Sequence, residues 1–175
     1  ARIVYYAPER VSGAELSGLT YESLADPKWK GRIAIRASSN IYNKSLVASL
    51  VKNNGKKAAR EWAKGVVANM ARTPQGGDRD QIKAVAAGEG DIAVGNSYYY
   101  ARMIKGTDEE RAAAAKVQII FPNQDDHGAH VNICGAGVVK TAPNKANAIK
   151  FIEFLTSKQS QESFAAGNNE YPVVK

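Results

Sequence analysis

The sequence predicts an α/β protein whose sheet is largely parallel and flanked by helices. Short apolar runs, typical of buried strands, alternate along the chain with longer segments whose apolar residues recur at helical spacing. Glycine, proline or polar clusters separate most of these segments. Strands that alternate with helices favour parallel pairing through helical crossovers. Of the 175 residues, 44% are hydrophobic, which is enough material for a core.

Each element has a local signal. Apolar runs predict strands over 2–6, 32–36, 91–96, 117–122 and 131–139. A short helix and a proline-marked turn are expected over 21–31. Helical spacing, caps and terminal glycines predict helices over 41–55, 56–70, 81–90, 97–105, 107–115, 144–157 and 158–167. The first of these follows the cap residues Ser38-Ser39-Asn40 and stops at Gly55.

Charge and cysteine content exclude some classes of protein. The net charge is +7, but basic clusters lie far apart with acids between them, which indicates a basic solvated surface. The single cysteine, Cys134, rules out an internal disulfide framework. It lies in the apolar run VNICGAGVV, so we expect a small buried residue rather than a nucleophile.

Common catalytic and phosphate-binding motifs are absent from the sequence. It contains no GxxxxGK[ST], no HExxH and no GxSxG, and the glycines of GEGDIAVG precede their strand. The loop DDHGAH places Asp125, Asp126, His127 and His130 together. Such a loop suits a metal, but a solvated turn is the expected structure.

The stretch DIAVGNSYYY carries the strongest chemical signal. Adjacent side chains diverge on a strand or a helix, so neighbouring tyrosines meet at one point only where the backbone turns, and Asn96-Ser97 is such a turn. Ligands of α/β proteins lie at the carboxyl ends of strands. Adjacent phenols suit a stacked sugar or aromatic ligand, single-stranded nucleic acid, or a hard cation such as Fe³⁺, which displaces the phenolic proton.

Four stretches together resemble the periplasmic ferric-iron-binding proteins of bacterial ABC importers, especially the cyanobacterial type. They are LADPKWKGRIAIRASSNIYNKSLVASL, TPQGGDRDQIKAVAAGEGDIAVGNSYYYARM, HVNICGAGVVKTAPNKANAIKFIEFLTS and NNEYPVV. The resemblance implies a periplasmic-binding-protein type II lobe and ferric ligands Tyr42, Tyr98 and Tyr99. Tyr42 follows a helix cap, where the helix dipole favours a phenolate. Tyr100, Tyr5, Tyr6, Tyr21 and Tyr171 are expected to be structural.

The resemblance also implies roles for neighbouring residues and for partners. Asn96, Ser38, Ser39, Asn40 and Arg36 are expected to hold an anion or to orient the phenolates; Arg72 and Arg79 are further candidates for lowering the phenol pKa. A periplasmic protein, free or tethered to the membrane, would deliver Fe³⁺ to an ABC permease. No bond is made or broken, so we do not expect an enzyme.

Members of this family have two lobes, and the chain departs from that pattern. We expect residues 1–116 to form the second lobe with the tyrosine cluster. Residues 117–175 would return towards a first lobe that is mostly missing or is supplied as another chain. Water, an anion or that lobe would complete the metal's ligands.

Three other functions are compatible with parts of the sequence. The same fold could bind an organic anion or a polyamine, with the tyrosines as stacking surfaces. Nucleic-acid binding is disfavoured because basic and aromatic residues are not interleaved around 91–103. An enzyme is disfavoured because no acid/base pair lies near the tyrosines in the sequence.

Overall fold

A four-stranded sheet organises the first part of the chain. The computed structural model describes residues 1–174. The strands are β1 (Arg2–Tyr6), β2 (Ile33–Ala34), β3 (Ile92–Asn96) and β4 (Gln118–Ile120). Their order in the sheet is β2-β3-β1-β4. β2 runs parallel to β3, whereas β1 pairs antiparallel with both β3 and β4.

The α/β class with flanking helices is confirmed, and the sheet differs from a fully parallel one through β1. Three of the four strands point the same way, but two of the three pairings are antiparallel because β1 lies reversed between β3 and β4. A parallel crossover needs a long connection, usually an α-helix. β1 is followed instead by the four-residue helix α1 (Gly13–Leu16) and two short 3-10 helices, Glu22–Ala25 and Pro27–Trp29.

The remaining helices begin and end near their predicted bounds. They are α2 (Ile41–Ala68), α3 (Asp78–Ala87), α4 (Ser97–Ile104), α5 (Asp108–Ala115), α6 (Lys145–Leu155) and α7 (Lys158–Asn168). α2 contains a kink at Gly55, whose φ of 84° and ψ of 161° are not helical. Only glycine adopts this conformation readily, so the predicted division of the helix at Gly55 is confirmed.

Helices cover both faces of the sheet. On one face, Val4 and Val94 pack in a cluster with Leu46, Leu50 and other α2 residues. On the other face, Ile3, Tyr5 and Ala93 pack in a cluster that includes buried residues of α3, α4 and α5. Successive residues of a strand point to opposite faces, so β1 and β3 supply both clusters.

α3 begins three residues before the predicted start at 81. The sequence predicts a loop over 71–80, and the last three residues of that loop are helical instead. In the structure, the Asp80 carboxylate accepts a hydrogen bond from the Gly77 N–H at 2.6 Å, which caps the helix and draws Asp78 into its first turn.

The predicted strand over 131–139 is wrong. No residue of this segment belongs to a strand, and Val131, Ile133 and Val139 are 53%, 68% and 66% exposed. Cys134 is exposed, not buried as predicted. Apolar composition indicates a strand only where a neighbouring strand is available to pair with it. Within residues 1–174, this segment pairs with none.

The chain divides into two compact units, the first spanning Ala1–Asn132 and the second running from Ile133 onward. The second unit contains α6 and α7, with the Gln161 side chain donating to the Leu155 carbonyl at 2.9 Å. α6, which the structure describes in full, buries none of its residues. Among residues 1–174, no helix combines the length and the apolar character that crossing a bilayer requires.

Candidate metal centre

Two of the predicted ligands meet at their hydroxyl groups. Tyr42 is the second residue of α2, and Tyr98 is the second residue of α4. The Tyr98 hydroxyl donates a hydrogen bond to the Tyr42 hydroxyl, with 3.1 Å between the oxygens. Each tyrosine therefore lies in the first turn of a helix, where the helix dipole favours negative charge.

The third predicted ligand, Tyr99, packs its ring against that of Tyr98. The Tyr98 and Tyr99 rings lie 4.4 Å apart between centroids, at 38° to each other. Both tyrosines are consecutive residues of α4, which begins directly after β3. Tyr100 points elsewhere: its hydroxyl donates to the Val117 carbonyl and its ring lies 6.1 Å from that of Tyr5. The structural role predicted for Tyr100 agrees with these contacts.

Asn96 links the backbone turn to the tyrosine hydroxyls. It is the residue before α4, yet its side chain makes no capping hydrogen bond. Its side-chain N–H₂ donates instead to the Tyr98 hydroxyl at 3.3 Å, and its side-chain oxygen accepts from Arg2 at 3.1 Å. An orienting role for Asn96 requires such a contact with the Tyr98 hydroxyl, and the role itself stays a prediction.

The other predicted supporting residues separate into two groups. Asn40 caps α2 by accepting from the Tyr42 N–H at 2.9 Å. The guanidinium carbon of Arg36 lies 5.6 Å from the Tyr42 ring centroid. Ser38 and Ser39 lie in an exposed turn, and neither side chain forms a hydrogen bond within residues 1–174. The structure does not bring these two serines to the tyrosine hydroxyls.

Three arginines surround the tyrosine cluster. Arg2 and Arg36 lie over the Tyr42 ring, with the Arg2 guanidinium carbon 5.9 Å from its centroid, and Arg102 lies 5.1 Å from the Tyr98 centroid. Positive charge at this range favours the phenolate form. The other two predicted arginines are engaged elsewhere, since Arg72 pairs with Glu89 and Arg79 with Glu110.

Burial opposes ionisation of Tyr98. The pKa of Tyr98 is raised well above its usual value, chiefly by burial and then by hydrogen bonding with Tyr42 and Tyr99. The hydrogen bond from Asn96 acts in the opposite direction and lowers this pKa. Tyr98 is therefore protonated at neutral pH until a cation displaces its proton.

The acidic loop before residue 131 does not gather a second metal site. His127 contacts Asp126 at 3.0 Å, whereas the His130 ring lies 2.7 Å from the Ser45 hydroxyl oxygen. Throughout residues 1–174, no group of three or more histidine, cysteine, aspartate or glutamate side chains is placed to hold a metal.

The family of bacterial extracellular solute-binding proteins matches residues 4–175. The chain belongs to this family. Its similarity to individual solute-binding proteins is high: it is 51% identical to iron uptake protein A2 of Synechocystis over 99% of the chain and 51% of that protein. With iron uptake protein A1 of the same organism it shares 53% identity, over 99% of the chain and 48% of that protein.

Solved structures also match the chain over almost its whole length. A Trichodesmium protein termed IdiA or FutA, in complex with iron and citrate ligands, superposes with a TM-score of 0.94 at 56% identity, over 99% of this chain and 55% of that one. Apo FutA2 from Synechocystis gives a TM-score of 0.93 at 50% identity, over 99% and 56%. These matches confirm the resemblance and the fold class inferred from the sequence. The chain spans about half the length of the relatives it matches.

Four residues beside the site are not predicted from the sequence: Arg2, Asn43, Asp78 and Arg102. The sequence position of Arg2 indicates a buried ion pair. An arginine at the start of the apolar run RIVYY needs a buried partner if the strand is central. Arg102 had a signal as well, since it follows Tyr98 by one helical turn. Asp78 had none, because its Gly-Gly context indicates a loop.

Proposed function

We propose that the chain binds ferric iron through the phenolate oxygens of Tyr42, Tyr98 and Tyr99. The observation that carries the proposal is the 3.1 Å approach of the Tyr42 and Tyr98 hydroxyl oxygens, with the Tyr99 ring packed against Tyr98. Tyrosine hydroxyls usually separate to reach water or single backbone partners. Phenol oxygens that converge from two different helices could both bind one metal ion.

The donor set selects the kind of metal. Neutral phenols are poor ligands for most divalent ions because their pKa is about 10. Fe³⁺ is hard and acidic enough to displace the protons, and three phenolates balance its charge. The helix N-termini at Tyr42 and Tyr98 and the nearby arginines also stabilise negative oxygen. An anion, water or a further protein segment would complete the ligands.

The named relatives support a role in transport. The two Synechocystis relatives are called iron uptake proteins, and a relative in Neisseria meningitidis, 34% identical over 99% of the chain and 50% of that protein, is called a major ferric iron-binding protein. We therefore infer that the chain belongs to the solute-binding component of an ABC iron importer and works in the periplasm. In this proposal residues 1–116 form one lobe, and residues 117–175 return towards the other.

Metal analysis together with a visible absorption spectrum tests this function. After addition of ferric citrate and removal of unbound metal, we expect one iron per chain and a broad phenolate-to-iron charge-transfer band. Iron retained without the band would mean that other groups hold it. A chain that retains no iron at low micromolar concentration would contradict the proposal.

An organic anion is the second candidate. The guanidinium carbons of Arg36 and Arg102 lie 5.6 Å and 5.1 Å from the Tyr42 and Tyr98 ring centroids. Guanidinium groups bind carboxylates strongly, often through paired hydrogen bonds. Calorimetry separates the two candidates, because this one predicts that metal-free citrate binds as tightly as ferric citrate.

A further inference from the structure

We propose that Asp78 is the positioning residue that sets the distance between the Tyr42 and Tyr98 hydroxyl groups. This inference rests on the proposed iron-binding function, and it assigns a role to a residue that no sequence signal indicated. Asp78 is the first residue of α3 and is 1% exposed. It contacts neither hydroxyl group and acts through its partners.

The Asp78 carboxylate joins three elements. One oxygen accepts from Arg2 at 2.7 Å and from the backbone N–H of Asn96 at 2.8 Å. The other oxygen accepts from Arg36 at 3.3 Å. One buried carboxylate therefore holds three parts of the chain together: β1, the end of β3 and the segment leading into α2.

Each residue that is hydrogen-bonded to Asp78 also contacts Tyr42 or Tyr98. On the Tyr42 side, Arg2 and Arg36 lie over the ring, and Arg2 also donates to the side chain of the adjacent Asn43. On the Tyr98 side, Asn96 is held by Asp78 through its backbone and donates from its side chain to the Tyr98 hydroxyl. Asp78 is thus common to the supports of both hydroxyl groups.

The burial of Asp78 makes this support rigid. Its side chain is 0% exposed and that of Arg2 is 2% exposed, so water does not compete for their hydrogen bonds. Arg2 and Arg36 would repel each other without the carboxylate between them. Removing the charge while keeping the shape therefore releases both arginines and the turn at Asn96. Supporting partners of ligands typically change metal affinity by roughly 10–100-fold.

The test compares Asp78→Asn with Gly65→Ala in the iron-loaded chain. Gly65 lies in α2, where an added Cβ would stand 2.6 Å from Ala25 Cβ, so Gly65→Ala destabilises the same unit by crowding without touching the tyrosine supports. For Asp78→Asn we expect affinity, measured by citrate competition, to fall by roughly tenfold or more, with a shifted charge-transfer maximum. Gly65→Ala keeps the wild-type maximum. Circular dichroism checks that both are folded.

Asp78→Glu keeps the charge but moves it by one methylene, and it carries the test if Asp78→Asn does not fold. We expect a maximum that is shifted less than in Asp78→Asn and still distinct from wild type. If both Asp78 variants keep the wild-type maximum and affinity, Asp78 has no positioning role, although iron binding stands. If the wild-type chain shows no charge-transfer band, the proposed function itself is wrong, and the two failures are distinguished.

Discussion

The hydroxyl oxygens of Tyr42 and Tyr98 lie 3.1 Å apart although 56 residues separate them in the chain. Two helices, α2 and α4, present these groups from their first turns. Contacts within the chain support both side chains, because Asn96 donates to the Tyr98 hydroxyl and arginines lie over both rings. Ligand groups arranged in advance lose less conformational freedom when the ligand binds.

The first prediction concerns the tyrosines themselves. Tyr98→Phe combined with Tyr99→Phe should abolish the charge-transfer band, because phenylalanine keeps the ring but removes the oxygen. Tyr42→Phe should weaken the band and reduce ferric affinity by more than the roughly 10–100-fold typical of supporting residues. Visible absorption and chelator competition measure these effects.

The matched control for this prediction is Tyr100→Phe. Tyr100 stands in the same tyrosine run, but its hydroxyl donates to the Val117 carbonyl and lies in another direction. We expect Tyr100→Phe to keep both the band and the affinity. A band that survives the Tyr98 and Tyr99 double change would place the iron elsewhere.

The second prediction concerns the pH dependence of ferric binding. Burial and the contacts with Tyr42 and Tyr99 raise the pKa of Tyr98, so the free chain holds this proton at neutral pH. Iron must displace it, and apparent affinity should therefore rise with pH by about tenfold per pH unit for each proton released. Calorimetry between about pH 6 and about pH 8, in buffers of different ionisation enthalpy, counts the protons.

Tyr98→Phe provides the comparison, since it should release one proton fewer and show a shallower pH dependence. An affinity that is the same at both ends of this range would contradict phenolate ligation. It would favour the organic-anion alternative, because a carboxylate bound by arginines is already ionised at these pH values.

The positions of the tyrosines and of Asn96 were accessible from sequence, whereas the buried pair of Arg2 and Asp78 was not. Tyr42 and Tyr98 depend on local signals, namely an Asn cap before one helix and a strand-to-helix turn before the other. The contact between Arg2 and Asp78 spans 76 residues, so it depends on how β1 and α3 meet. Local patterns carry no information on such a pairing.

The segment 131–139 shows the same limit for the fold. Its apolar run was predicted as a strand, yet Ile133 is 68% exposed and the segment pairs with no strand in residues 1–174. A strand is stabilised by a neighbour on at least one side, whereas a helix satisfies its own backbone. This difference explains why the α6 and α7 predictions hold in the second unit and this one does not.

The third prediction concerns the buried ion pair as a source of stability. Arg2→Met should lower the free energy of unfolding by about 3–5 kcal/mol, because it leaves the Asp78 carboxylate buried without its main partner. Trp29 and Trp62 both lie in the first unit, so urea unfolding followed by tryptophan fluorescence reports on this unit. Restoring an apolar match with Arg2→Met and Asp78→Leu together should recover part of the loss.

Arg36→Gln is the control for this measurement. Arg36 also pairs with Asp78, but its side chain is 18% exposed and the contact is longer, at 3.3 Å. We expect a loss of about 1 kcal/mol or less. If Arg2→Met unfolds no more easily than Arg36→Gln, the buried pair of Arg2 and Asp78 does not stabilise the fold more than the more exposed contact of Arg36.

The fourth prediction concerns the pH dependence of stability at Glu15. Its carboxylate accepts from the Ser12 N–H at 2.9 Å, at the cap of α1, and from Arg32 at 2.7 Å. The Ser12 hydrogen bond, followed by the Arg32 contact, lowers the pKa of Glu15 from its usual 4.5 to about 2. A lowered pKa means that the folded chain favours the ionised form. The resulting stability is present above about pH 4.5 and is lost as the pH falls towards about 2.

Glu15→Gln tests this assignment. At neutral pH the variant should be less stable than wild type by about 0.5–1 kcal/mol, a modest value because solvent screens a partly exposed group. The difference should shrink as the pH is lowered from about 5 to about 3 in urea unfolding experiments. Glu9→Gln, at an exposed glutamate without an ion pair in residues 1–174, removes the same charge and should show neither the loss nor its pH dependence. A difference between Glu15→Gln and wild type that stays constant down to pH 3 would show that the amide replaces the carboxylate in the cap, and that ionisation of Glu15 does not stabilise the fold.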